Sequence, residues 1–411
     1  FQEIVASKPI NMRASIFLCL LICSPALATY ADICIDKTND TDLAGFLNNL
    51  YEKYGPETSM VHETITNDFT CDYISPSASV PTSVHALRPG DIKIVAALGD
   101  SLSAANGAGA TTITEVALQY RGLAFSIGGG YLGGSNSVKS HFSVPNALKF
   151  YNSNITGYAT GIAKYEVNNF LGKAHLDFAI PGSKSRKMYN ESIALVAEMQ
   201  SNSDYNFEDD WKLITLFIGG NNLCQYCVEY DLDTPSAYVA DIQKALDYLH
   251  DNVPKAFVNV LTVMEIDQIV ALGNDQSTCY DAHQCMCYCA MRNDIDYLLE
   301  LQNINGRYQS ELTELIQSGR YDTREDFTAV IQPFLQSTAA PTKDDGTKDL
   351  TYFAPDCFHF SKKGHNYAGE ALWNNMFERV CEKSVSWVLG EKLVCPTEEN
   401  PYLYTYQNSG C

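Results

Sequence analysis

Four short stretches of the chain carry residue types that could make and break an ester bond: Gly99-Asp100-Ser101-Leu102, Pro181-Gly182-Ser183, Gly219-Gly220-Asn221-Asn222 and Asp356-Cys357-Phe358-His359. A serine hydroxyl is a poor nucleophile until an imidazole takes its proton during attack. The imidazole in turn needs a carboxylate on its far nitrogen, to fix the tautomer and stabilise imidazolium. Asp356 and His359 can supply both groups from one turn, with Ser101 as their nucleophile. The tetrahedral intermediate then needs N–H donors aimed at its oxyanion. The Ser101 N–H, the Gly182 N–H and the Asn221 side-chain amide are the expected donors, with glycines letting the backbone approach the substrate. Each stretch alone is ordinary turn chemistry. Their weight comes from occurring together, three of them directly behind buried-strand patterns. No G-x-S-x-G nucleophile elbow is present, which argues against the usual α/β-hydrolase.

The elements that must position these groups are legible as apolar runs. Residues 92–98 (IKIVAAL), 175–180 (HLDFAI), 213–218 (LITLFI) and 256–263 (AFVNVLTV) read as buried strands, and a short one follows at 327–331. Thr234-Pro235 opens a helix with Val239, Ile242, Leu246 and Leu249 on one face, and a longer helix is expected over about 292–317. Leu43, Leu47, Leu50, Tyr51 and Tyr54 predict a helix near the N-terminus. Short apolar strands alternating with helices mean a mostly parallel sheet covered on both faces, an α/β architecture. In such a sheet ligands sit beyond the carboxyl ends of the strands, where three of the four stretches lie. The Ser/Pro-rich run 75–83 marks the expected boundary between an N-terminal segment, 29–83, and the main domain, 84–411.

Composition narrows the function classes. The 411 residues hold 28 Lys plus Arg against 49 Asp plus Glu, a net charge of −21. With no basic stripe to neutralise phosphates, nucleic acid is excluded as a partner, and a neutral or zwitterionic substrate fits better. Met12 and Arg13, the apolar run 14–23 and the Ala26-Leu27-Ala28 motif read as a signal peptide within residues 1–28. The expected product is an exported, soluble, extracellular protein without a transmembrane anchor. Export favours disulfides among Cys34, Cys71, Cys224, Cys227, Cys279, Cys285, Cys287, Cys289, Cys357, Cys381, Cys395 and Cys411. The cluster Cys279, Cys285, Cys287 and Cys289 with His283 has the look of a metal site, but tight spacing also suits a disulfide-tied loop and export favours that reading, so no metal and no cofactor is expected. Spacing leaves the pairing open. Asn39, Asn154 and Asn190 begin glycosylation sequons.

The longer motifs carry a resemblance. The stretches 88–102 (RPGDIKIVAALGDSL), 120–123 (YRGL), 211–221 (WKLITLFIGGN), 318–327 (SGRYDTREDF) and 353–361 (FAPDCFHFS) resemble the GDSL, or SGNH, hydrolase family, and within it a single catalytic repeat of the animal phospholipase B proteins. The likeness extends over residues 40–408. It implies the SGNH fold, a flavodoxin-like three-layer α/β/α sandwich. By residue-for-residue match it implies Ser101 as nucleophile, His359 as base, Asp356 as its orienting acid, and Ser101, Gly182 and Asn221 as the oxyanion hole. It further implies calcium-independent hydrolysis of glycerophospholipids and lysophospholipids at a lipid interface. The wider family also deacylates simple and carbohydrate esters, and a catalytically idle lipid-binding protein is the reading from another class; the complete Ser101, Asp356 and His359 set speaks against it. The family usually has Asp where this chain has Asn222, which is expected to support the loop. His365 is read as a packing or surface residue, Asp100 as structural, the Gly128–Gly133 stretch as a flexible loop, and the 402–406 run as packed on the core.

Overall fold

The computed structural model describes residues 40–55, 69–130, 138–163, 171–273, 277–292 and 294–411. Its centre is a four-stranded, wholly parallel sheet of β1 (Ile92–Gly99), β4 (Trp211–Phe217), β5 (Ala256–Leu261) and β6 (Phe327–Gln332), in the spatial order β1-β4-β5-β6. The near-continuous apolar character of these strands follows from burial on both faces. Along β1 the side chains alternate between two cores: Val95 and Ala97 join one, Ile94, Ala96 and Leu98 the other.

The first core is closed by α1 (Asp40–Tyr54), α2 (Val144–Tyr151) and α8 (Lys362–Met376). The second is closed by α3 (Met188–Ser201), α5 (Pro235–Asn252) and α7 (Ile295–Gln317). Helix α5 starts as its sequence dictates, with Thr234 accepting from the Ala237 N–H and Pro235 in the first turn, and it buries Tyr238, Ile242, Ala245, Leu246 and Leu249. The result is a three-layer α/β/α sandwich of the SGNH type. Two short helices sit at its rim, α4 (Gly220–Gln225) and α6 (Thr278–Met286).

Two expectations change. Residues 175–180 are not a strand, although they run beside the free edge of β1 and meet it in a single bridge, Ala97 to Asp177. The Ala97 N–H donates to Leu176 O, Phe178 N–H to Ala97 O and Ile180 N–H to Gly99 O. The bond that would complete the ladder is missing, because the Gly99 N–H turns instead to the Glu191 carboxylate, 3.0 Å away. The glycine run is also not simply a loop: Gly128–Gly130 forms β2, paired in parallel with β3 (Ala159–Thr160), while 131–133 lie outside the described residues.

Residues 1–28, expected to hold a signal peptide, and Cys34 and Asn39 also lie outside the described residues. The Ser/Pro run is held against the sheet: Pro81 O accepts from the Trp211 indole at 3.1 Å, and Ser77 bonds Asp91. Residues 402–406 pack on the core through Leu403, whose N–H donates to Leu87 O. Asn154 and Asn190 are exposed, the latter on α3.

Candidate functional site

The free edge of β1 carries the 175–180 segment and its other side pairs with β4, so the chain leaves β1 in opposite directions. That is the switch point where an open α/β sheet forms its ligand crevice. Ser101 follows β1 and Asn221 follows β4 at this crevice. Gly99 must be glycine: its φ is +153°, and a Cβ there would stand 2.4 Å from Phe217 O and 2.5 Å from Ser103 Oγ. Gly182, at φ +78°, turns the chain at the mouth of the neighbouring segment and is exposed.

The structure brings Ser101, His359 and Asp356 together. Ser101 Oγ lies 2.8 Å from His359 Nε2, and His359 Nδ1 lies 2.6 Å from Asp356 Oδ2. Asp356 Oδ1 accepts from the N–H groups of Phe358 and His359, both at 3.1 Å. Burial works against the Asp356 charge, but the His359 imidazole and these N–H groups outweigh it, so the carboxyl stays below its ordinary range. A carboxylate so held directs the Nδ1 proton toward itself, leaving Nε2 to accept from the serine hydroxyl.

The turn carrying the pair is fixed at Cys357, a non-glycine residue at φ +54°. A disulfide ties Cys357 to Cys279 on α6, and the His283 ring Nε2 lies 3.1 Å from the Cys357 carbonyl. Cys224–Cys287, Cys227–Cys289, Cys71–Cys395 and Cys381–Cys411 are also joined, and Cys285 is disulfide-bonded. The metal alternative falls with these pairings; among the described residues no group of His, Cys, Asp and Glu could hold an ion.

On the Gly182 side of the crevice, the Asn221 amide donates to Ser183 O at 3.0 Å and to Asp100 Oδ2 at 3.3 Å, which draws the end of α4 to the Gly182 loop. Asp100 also accepts from the Leu102 N–H, and burial pushes its carboxyl up to about 6. Asn222 is wholly buried and faces away from the crevice. It accepts from the Ser185 N–H at 3.0 Å and donates to Ser185 Oγ and to Asp233 at 2.8 Å. His365 is buried rather than surface-placed, stacked on Phe125, whose N–H approaches its Nδ1 at 3.3 Å.

An apolar pocket opens at Ser101 and Asn221, walled by Ile266, Ile269, Leu272, Leu335, Phe353, Phe360 and Trp387. Sequence reasoning gave these residues no role as a pocket wall, because they come from four separate segments. It also gave no role to Glu191, read only as the middle of a sequon, or to Arg121, quoted only within the 120–123 stretch. The wholly buried Arg121 binds the Asp177 carboxylate at 2.8 Å and the Asp177 and Ala179 carbonyls, fixing the strand-like approach to Gly182.

The comparisons with known proteins supply the class, a carboxylic ester hydrolase. Residues 95–372 match the family of GDSL-like lipases and acylhydrolases, and the chain belongs to that family. It is 40% identical over 351 residues to the membrane-associated phospholipase B1 of Mus musculus, covering 84% of this chain and 23% of that protein. It is 40% identical over 350 residues to the human protein of the same name, covering 83% and 23%. The chain thus spans about a quarter of the length of these relatives. An extracellular lipase from Streptomyces rimosus, known from its crystal structure, aligns with 69% of this chain and 98% of its own, at 18% identity and a TM-score of 0.30. Among the described residues no helix is long and apolar enough to cross a membrane.

Proposed function

We propose that the chain is an exported, calcium-independent serine esterase that removes acyl chains from glycerophospholipids and lysophospholipids through an acyl-enzyme. What supports the reading is the unbroken relay from Ser101 Oγ to His359 Nε2 and from His359 Nδ1 to Asp356, at 2.8 and 2.6 Å, beside an apolar pocket. The serine oxygen attacks the ester carbonyl while His359 takes its proton, and Asp356 stabilises the resulting imidazolium. The N–H groups of Ser101 and Gly182 and the amide of Asn221 receive the oxyanion. The protonated ring then gives its proton to the leaving alcohol, the lysolipid or glycerophosphodiester. Water activated by the same ring releases the fatty acid. Nucleophile activation and charge stabilisation both come from side chains and backbone, so no step calls for calcium. The pocket wall takes the acyl chain, whose burial adds about 0.8 kcal/mol per methylene. Disulfides throughout the chain fit an oxidising compartment.

The test is fatty-acid release from phosphatidylcholine vesicles by the wild-type protein and by Ser101→Ala, with and without EDTA. Release of both chains that is lost in the variant and indifferent to EDTA is the expected result. Turnover of a short soluble ester alone would keep the serine mechanism and move the substrate. Absence of both would return the chain to the lipid-binding reading.

A further inference from the structure

Beneath the crevice lies a carboxyl group with no part in the relay. Glu191, on α3, is almost wholly buried. Its Oε2 accepts from the Gly99 N–H at 3.0 Å, and its Oε1 lies 2.8 Å from Ser183 Oγ. Gly99 is the last residue of the nucleophile strand, two before Ser101, and Ser183 follows Gly182 directly. The Ser183 carbonyl in turn accepts from the Asn221 amide at 3.0 Å. One side chain therefore touches the backbone leading to Ser101 and the residue that links Gly182 to Asn221. It does so at a cost to the sheet, since the Gly99 N–H given to Glu191 is the one the edge ladder lacks.

We infer that Glu191 is a positioning residue that fixes the distance between the nucleophile turn and the two other oxyanion donors. The inference rests on the roles proposed above for Ser101, Gly182 and Asn221. A helix side chain suits this task better than a ladder bond would. It holds β1 and the Gly182 loop through separate oxygens, so neither can shift without losing a buried hydrogen bond. Its neutral form serves as well as its charged one: burial holds the carboxyl well above its ordinary range, with the Asp100 and Asp177 carboxyls adding to the effect. Glutamine can reproduce both contacts, its oxygen accepting from Gly99 and its amide donating to Ser183 Oγ. Alanine can reproduce neither. A misplaced oxyanion donor affects the transition state more than substrate binding, so the loss should appear in kcat.

The experiment compares wild type, Glu191→Ala, Glu191→Gln, Ser183→Ala and Ser101→Ala on a soluble short-chain ester, with melting temperatures measured alongside. Glu191→Ala should lower kcat about a hundredfold with KM within about threefold, Ser183→Ala should lower it about tenfold, and Glu191→Gln should stay within about threefold of wild type. A folded Glu191→Ala protein with wild-type kcat would overturn the inference, as would a glutamine variant as impaired as the alanine one. Should Glu191→Ala not fold, Ser183→Ala carries the same test from the other end of the bond, and an unchanged kcat there overturns it. Ser101→Ala separates the two levels: activity surviving in that variant refutes the nucleophile assignment itself, whereas an inactive Ser101→Ala beside a fully active, folded Glu191→Ala refutes only the role of Glu191.

Discussion

Replacing Asp356 by asparagine changes one atom and should nearly silence the enzyme. The side-chain oxygen of the amide can still accept from the Phe358 and His359 N–H groups, so the turn keeps its shape. What is lost lies at the other position, 2.6 Å from His359 Nδ1, where an NH2 now faces the ring. Two effects add there. The imidazolium formed during attack loses its counter-charge, worth roughly 4 kcal/mol for unit charges about 4 Å apart at an effective dielectric near 20. At about 1.4 kcal/mol per decade that alone is nearly a thousandfold in rate. The amide also favours the tautomer with its proton on Nε2, which cannot accept from Ser101, and together the two should lower kcat by about 10³ to 10⁴. The assay is steady-state hydrolysis of a soluble ester at neutral pH, with the melting temperature as a control for folding. KM should stay within a few-fold of wild type. A folded Asp356→Asn protein within tenfold of wild-type kcat would refute the relay.

Three further outcomes follow from the structure. His141 is buried with its Nε2 on the Leu123 carbonyl, and burial, reinforced by Lys362, holds it down to about 4. The unfolded chain therefore takes up this proton first, and stability is lost as pH falls from about 6.5 toward 4, by about 3 kcal/mol from this residue. His141→Gln should flatten the pH dependence of the melting temperature over that window; parallel curves would count against it. Leu335→Trp, on the pocket wall, should cut kcat/KM for long-chain esters at least about tenfold while sparing two- to four-carbon ones, and equal losses would show that the chain binds elsewhere. Asn222→Asp sets a second carboxylate against the buried Asp233 and should destabilise by about 1–3 kcal/mol. Adding Asp233→Asn should recover part of that loss in the melting temperature, and an additive double variant would contradict the pairing.

Ser101 and Asn221 could be read beforehand because each follows a strand whose apolar run is unmistakable, and because strand ends in a parallel sheet converge. The pair Asp356 and His359 was legible for a different reason, its spacing on one turn. Other features depend on partners far away in sequence. Residues 175–180 have the composition of a strand, yet the ladder fails where Glu191, from another layer, takes the Gly99 N–H. No periodicity signals that. The glycines at 128–130 offer no apolar pattern, so β2 is recognisable only by its bonds to 159–161. The pairing of Cys279 with Cys357, which steadies the turn of His359, follows from the packing of α6 on that turn and not from spacing. Asn222, by contrast, was placed as a loop support, and its bonds to Ser185 and Asp233 are of that kind.

The most direct measurement of the central claim is covalent: treat the protein with an alkyl fluorophosphonate, record its intact mass, and locate the adduct by peptide mapping. The account predicts one adduct per chain, on Ser101, formed far more slowly in His359→Ala and absent in Ser101→Ala. An adduct on another residue, or none on a protein that still cleaves esters, would contradict it.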